Sequence, residues 1–414
     1  MSDVAREAAY GMALEKINPA QPILFQSDTL WPYFERLRKE DPVHFTAESD
    51  YGPYWSITRY DDIMAVDTNP QVFSSDSSLG GITIVGNIGN EGPLPMFIAM
   101  DPPKHGLQRK AVSPAVAPAN LVTMEPVIRE RAGKILDSLP IGVAFDWVDQ
   151  VSVELTTMTL ATLFDFPFEE RRRLKRWSDV VTAVPGFGIV DSVEQKLAEM
   201  QEMGGYFTAL WNQRVNAEPK GDLISMLAHA PATRHMEPRE FFGNIVLLTV
   251  GGNDTTRSSI TGSLLALSRF PTEYEKLRAN PALIPSMVSE AIRWQTPLAH
   301  MRRTALCDFE FRERKIKKGD KVIMWYVSGN RDETAIENAD AFIIDRVRVR
   351  QHMSFGFGIH RCVGNRLAEL QLRVIWEEIL KRFPEVRVVG EPRRNYSVFV
   401  KGYEKMSVVI PRRF

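Results

Sequence analysis

The chain has 414 residues, 44% of them hydrophobic and 25% charged, an ordinary balance for a globular protein. A formal charge of −1 gives no global pull toward nucleic acid or an anionic membrane surface. Two cysteines exclude a disulfide framework and suit a reducing compartment. The first residues mix Asp3, Arg6, Glu7, Glu15 and Lys16 with no apolar h-region, so 1–24 reads as an N-terminal segment and not a signal peptide. No Gly/Ser-rich linker, low-complexity stretch or repeat interrupts 25–414, which is expected to be one large domain. The apolar run at 245–250 is far too short to cross a bilayer, and no membrane anchor is expected.

In chain order, 43–45 and 54–57 flank Asp50-Tyr51-Gly52-Pro53 and predict a β-hairpin. Residues 75–100 hold Gly80, Gly81, Gly86, Gly89 and Gly92 among isoleucines and predict a long apolar loop, a feature that is often functional. Helical patterns follow: Ile128, Ala132, Ile135 and Leu139 share one face, and Val148, Val151, Leu155 and Thr162 another. Met200, Gly204, Phe207 and Trp211 mark a helix after the cap-like Asp191-Ser192. Pro238 suits a first helical turn, and the periodicity from Phe241 runs past Leu265 without another proline, which predicts an unusually long helix. Short strands are expected at 309–311 and 322–325, around Lys318-Gly319-Asp320. Helix dominates, strand is minor, and the order is not a βαβ alternation.

Inside the long helix stands Gly251-Gly252-Asn253-Asp254-Thr255-Thr256. Mid-helix glycines cost about 1 kcal/mol each relative to alanine, so a pair implies a packing or functional reason. Asp254 and Thr255 point about 100° apart around the helix, and Thr255 can hydrogen-bond a backbone carbonyl and loosen the local ladder. Downstream, Glu290 and Arg293 fall at i and i+3 on one helix face. The densest signal is Phe355-Gly356-Phe357-Gly358-Ile359-His360-Arg361-Cys362-Val363-Gly364. It sets a cysteine in a glycine-punctuated loop just ahead of a helix on which Leu367, Leu370 and Val374 share a face. Peptide dipoles and free N–H groups at such a helix start favour the thiolate, and the glycines let backbone pass close to a flat ligand. A thiolate so presented suits haem iron, where it promotes cleavage of a bound O–O bond. His44, His229, His235, His300 and His352 show no metal-ligand spacing, and Cys307 reads as a packed strand residue.

The pattern Phe-x-x-Gly-x-x-x-Cys-x-Gly, carried by Phe355, Gly358, Cys362 and Gly364, resembles the ligand loop of haem-thiolate monooxygenases, the cytochrome P-450 superfamily. The resemblance covers 25–414 and implies a mainly α fold with a small β region, a single large triangular domain. It implies haem b (iron protoporphyrin IX) as cofactor and Cys362 as the iron ligand, with Phe355, His360 and Gly364 in the haem-binding loop. Asp254-Thr255 is similar to the family's acid–alcohol pair, which delivers protons during oxygen activation. Glu290 and Arg293 resemble the structural pair that joins an arginine in a meander ahead of the cysteine, here Arg346; the family more often has proline where Ile344 stands. His105, Arg109, Arg303 and His360 match positions that bind the haem propionates, which need cationic donors.

The substrate pocket is expected from Ile82, Ile84, Leu94 and Met96 of the apolar loop, Leu248 and Gly252 of the long helix, Leu298 and Met301, and Phe399 in a C-terminal hairpin. No buried charge is foreseen there, so a lipophilic small molecule is favoured. The wording of 352–373, 252–257 and 399–403 looks like the bacterial alkane terminal hydroxylases. That likeness implies insertion of one oxygen atom of O2 into the terminal methyl of medium-chain linear alkanes, alcohols or fatty acids, in the cytoplasm. The alternative is hydroxylation of a cyclic terpene or another compact lipophile. No reductase pattern follows Phe414, so electrons are expected from NADH through a ferredoxin reductase and a ferredoxin, docking near Arg361, Lys104 and Lys110. A cysteine hydrolase would need His360 to converge on Cys362 with an orienting third group. A haem sensor would have no use for Asp254-Thr255, and a peroxide-driven enzyme typically lacks that pair.

Overall fold

The helix expected from Pro238 runs 32 residues, Pro238–Arg269, with proline in the first turn, where its missing N–H leaves no bond unmade. The computed structural model describes residues 3–85 and 92–414, so Gly86 and Gly89 of the apolar loop lie outside the described residues. A helix this long is sustained by burial on several sides. Ile260, Leu264, Leu265 and Leu267 lie in the main core, and small residues admit its neighbours. Gly262 leaves room for Gln295 of helix Ile284–Gln295, and Gly252 for Leu160 of helix Glu154–Phe164. Trp376 of helix Asn365–Arg382 donates its indole N–H to Ser263 at 2.8 Å.

Helix Pro118–Ser138 buries Ile128, Ala132 and Ile135, the face read from the sequence. It is tied to helix Asn365–Arg382 by Arg129–Glu377, Arg373–Glu125 and Arg382–Asp137 ion pairs. The second predicted face is broken in two: a π-helical stretch, Val148–Val153, precedes α-helix Glu154–Phe164. Thr156 and Thr157 hydroxyls donate to the Ser152 and Val153 carbonyls across the junction, the kind of side-chain competition that disturbs a helical ladder.

Val43–Thr46 and Tyr54–Ile57 form the expected hairpin, Val43 opposite Ile57. Lys321–Met324 lies parallel to Tyr54–Ile57 and antiparallel to Met301–Ala305, and Phe73–Ser74 completes the five-stranded sheet. Phe309–Phe311 instead pairs with Arg314–Ile316, so the two strands around Lys318-Gly319-Asp320 belong to different sheets. Residues 3–24 are built into the body: Ala9, Ile17, Ala20 and Leu24 pack in one cluster with Trp325 and Val398, and Arg6 pairs with Glu35 at 2.7 Å. The fold is mainly α with a small β region, and no helix among the described residues is long and apolar enough to cross a membrane.

Candidate active site

Two glycines shape the cysteine loop. Gly356 (φ +66°) and Gly358 (φ +62°) adopt a backbone that L side chains disfavour. A Cβ on Gly358 would stand 2.9 Å from the Asp67 carbonyl oxygen. Asp67 is the anchor: its carboxylate accepts from the Phe357 N–H (2.8 Å), the Tyr326 hydroxyl (2.7 Å) and Arg303 (2.6 Å). The Cys362 N–H donates to the Phe355 carbonyl at 2.8 Å, closing the loop just before helix Asn365–Arg382. Cys362 opens onto a cavity of about 1090 Å³. The expected bias toward thiolate is only partly met. Burial pushes the Cys362 thiol up, while a Gly364 N–H bond and the charges of Arg109 and Arg361 pull down without winning.

Across the cavity, Gly251 faces open space, whereas a Cβ on Gly252 would meet Leu160 at 3.0 Å. Thr255 lines the cavity and its hydroxyl donates to the Gly251 carbonyl at 2.9 Å. Asp254 points elsewhere, as the helical offset requires. It is fully buried and pairs with Arg257 at 2.9 Å, and its second carboxylate oxygen has no partner. Arg257 also holds Asp179 of helix Arg172–Thr182 at 2.9 Å, and Lys175 bonds Asp179 in turn. Burial raises the Asp254 carboxyl above the usual range; Arg257, shared with Asp179, only partly offsets this. The Asp179–Lys175 end of this chain was not foreseen, because nothing local to the long helix announces a partner on another helix.

Three of the four expected propionate ligands face the cavity: Arg109, Arg303 and His360. Arg109 has no acidic partner among the described residues, and burial lowers its pKa. His360 Nε2 meets the Ser75 hydroxyl at 3.0 Å, while its Nδ1 is buried without a partner. Burial, then the charges of Arg303, His105 and Arg109, push His360 down to about 2. An anionic group seated among these side chains would relieve every one of these penalties, so the residues fit a haem with its propionates. His105 is placed differently. Its ring nitrogens face the Phe97 (2.7 Å) and Ile359 (2.9 Å) carbonyls, so it braces helix Lys104–Val112 against the cysteine loop.

Glu290, Arg293 and Arg346 come together. Arg293 forks onto Glu290 with two 2.8 Å bonds and donates to the Asn330, Ala339 and Ala341 carbonyls. Arg346 reaches the same carboxylate at 3.2 Å. Burial alone would raise the Glu290 pKa, but Arg293, the Ile343 N–H and Arg346 overrule it and the net shift is downward. The isoleucine at 344 has a use that proline could not serve: its N–H donates to Glu273 at 2.9 Å.

Of the expected pocket residues all but Ile84 line the cavity. Ile84 is a correction: its N–H is held by His300 Nε2 at 3.0 Å and its side chain packs in the cluster of Phe25, Phe34 and Trp325. The roof comes from residues that sequence patterning does not mark as pocket, among them Val181, Ala183, Leu197 and Met200. It also holds Lys196, only 4% exposed, which corrects the expectation of a pocket without buried charge. Beside it, Phe187 stacks on Tyr396 with ring centres 3.9 Å apart, joining the 183–192 loop to the C-terminal hairpin. No group of three or more His, Cys, Asp or Glu side chains able to hold a bare metal ion occurs among the described residues.

A cytochrome P450 family model matches residues 190–396. The linalool 8-monooxygenase of Pseudomonas putida is 36% identical over 96% of this chain and 99% of its own length. A methyl-branched lipid omega-hydroxylase of Mycobacterium tuberculosis is 31% identical over 91% of this chain and 90% of its own. The solved structure of cytochrome P450-153 from Novosphingobium aromaticivorans superposes with a TM-score of 0.88 at 46% identity, covering 95% of this chain and 98% of that one. A likeness that covers nearly all of the chain is more than a borrowed motif: the chain belongs to the cytochrome P450 family of haem-dependent monooxygenases.

Proposed function

We propose that the enzyme hydroxylates the terminal methyl of medium-chain linear alkanes, alcohols or fatty acids. The observation that carries this reading is the cavity itself, apolar along 80–85 and 92–99, the long helix and the C-terminal hairpin, and ending at Cys362. The omega-hydroxylase relative points the same way. A second reading, a terpene substrate, draws on the linalool 8-monooxygenase relative; linalool is an open-chain alcohol, which favours an extended molecule over a ring.

In this proposal Cys362 Sγ is the iron ligand, Phe355 and Gly364 shape its loop, and Arg109, Arg303 and His360 hold the propionates. A bound haem would supply the oxidising chemistry: with two electrons and two protons, one oxygen atom of O2 enters a C–H bond and the other leaves as water. Thr255 Oγ1 passes a proton toward the cavity by exchanging its bond to the Gly251 carbonyl. Asp254, whose carboxylate points away from the cavity onto Arg257, resupplies it by turning out of that pair. The walls exclude water and admit one end of the chain. Because a primary C–H bond is stronger than a secondary one, selectivity must come from presenting only the methyl. Electrons come from NADH through a ferredoxin reductase and a ferredoxin in the cytoplasm; Arg361 and Lys110 are exposed for docking, while Lys104 is paired with Glu240 at 2.6 Å.

The test is reconstitution with ferredoxin, reductase and NADH, then chromatography of products from octane and octanoic acid. Terminal alcohols should predominate, and Phe399→Ala or Leu298→Ala should raise the subterminal share before turnover is lost. Mainly subterminal products from the unmodified enzyme, or turnover of cyclic terpenes alone, would overturn the proposal.

A further inference from the structure

Lys196 sits on helix Val193–Arg214 and reaches into the cavity roof. Its ammonium has three donors. Among the described residues one is used, on the Ala183 carbonyl at 2.7 Å, and no carboxylate pairs with it. Ala183, which accepts its bond, belongs to a small apolar cluster with Val180, Val190 and Met200, the last of these one turn along the same helix. Burial lowers the Lys196 pKa to about 8, with no charged neighbour contributing among the described residues. The cations that act on Cys362 are instead Arg109 and Arg361, so Lys196 stands apart from the groups suited to the haem. An ammonium held dry without a counter-charge is costly, and the cost falls when an anion arrives.

We propose that Lys196 is the anchor for the carboxylate of a fatty-acid substrate, bound in the roof while the methyl end of the same chain points toward Cys362. The inference rests on the linear-chain reading above and narrows it: an acid satisfies both ends of the cavity, an alkane only one. Binding the head group at a fixed point also sets how far the chain reaches, which is how a distant residue can select the terminal carbon. The competing role is purely structural. Ala183 is the C-cap of helix Arg172–Thr182, and a lysine on its carbonyl would stabilise that end.

The experiment titrates haem-loaded enzyme with decanoic acid, methyl decanoate and 1-decanol, reading the Soret shift, and then analyses the products. The acid should bind more tightly than its ester by about tenfold or more, the scale of a charge-assisted hydrogen bond. Lys196→Met should abolish that preference and leave 1-decanol unchanged, while Lys196→Arg should largely retain it. Equal affinities for acid and ester in the unmodified enzyme overturn the anchor, even if Lys196→Met fails to load haem. So does a Lys196→Met variant that weakens acid and alcohol alike, which is the signature of a lost helix cap. Product position is a separate readout: subterminal hydroxylation with an intact acid preference would sink the terminal reading and leave the anchor standing.

Discussion

Replacing Arg293 with alanine tests how the cysteine loop is held. Arg293 is fully buried and makes five hydrogen bonds, two to Glu290 and one each to the Asn330, Ala339 and Ala341 carbonyls. Truncation leaves the buried Glu290 carboxylate with the Ile343 N–H and with Arg346, whose contacts are longer at 3.2 Å. Breaking a buried pair from one side costs about 3–5 kcal/mol, and water entering the vacated space can serve the carbonyls. Against a total stability on the order of 5–15 kcal/mol, that is a large fraction. Arg346→Ala should cost less, about 2 kcal/mol, because Glu290 keeps its fork with Arg293. The double variant Glu290→Ala/Arg293→Ala should lose less than the sum of the two singles, since only Arg346 is then left without its carboxylate. The pH dependence has a defined sign. Glu290 has a depressed folded pKa, so its contribution is present above the unfolded carboxylate value near about 4.3 and is lost as pH falls through the lower folded value. Glu290→Gln should remove that part of the acid limb. Thermal unfolding from pH 3 to 8 and the ratio of haem to protein measure all of this. An Arg293→Ala variant as stable as Arg346→Ala, with full haem content, or a strictly additive double variant, would refute the reasoning.

Thr255→Ala should bind substrate with little change yet divert NADH electrons to peroxide, since the hydroxyl that faces the cavity is gone; unchanged coupling of NADH to product would remove it from the proton route. Gly243→Ala should shift the 92–99 wall, because its Cβ would run into the Pro95 carbonyl; substrate affinity should fall by more than stability, and unaltered affinity would contradict the packing.

Elements that depend on local chemistry are legible in the amino-acid sequence alone. Pro238 and an unbroken apolar period announce the long helix, and the glycines at 356 and 358 announce a loop that other residues could not follow. Glu290, Arg293 and Arg346 are found through the family resemblance and chain order, since Arg346 is separated from Glu290 by a long stretch of sequence and no local pattern links them. What is not legible depends on how separate helices meet. Asp179 partners Arg257 from another helix, and its charge looks like any solvated acid in the sequence. Lys196 reads as an exposed helix lysine until the 183–192 loop folds over it. Ile84 and His105 show the converse error. Ile84 lies between two cavity-lining residues, Thr83 and Val85, but its N–H bonds His300 and its side chain packs in the core. His105 lies one turn before the cavity-lining Arg109, but two carbonyls face its nitrogens.

The most direct measurement is the carbon monoxide difference spectrum of the reduced enzyme and of its two cysteine variants. The unmodified protein and Cys307→Ala should both show the strongly red-shifted Soret band of thiolate-ligated haem, and Cys362→Ala should lose it while the fold persists. A Cys362→Ala enzyme that keeps that band, or a Cys307→Ala enzyme that loses it, would contradict the assignment on which the whole site is built.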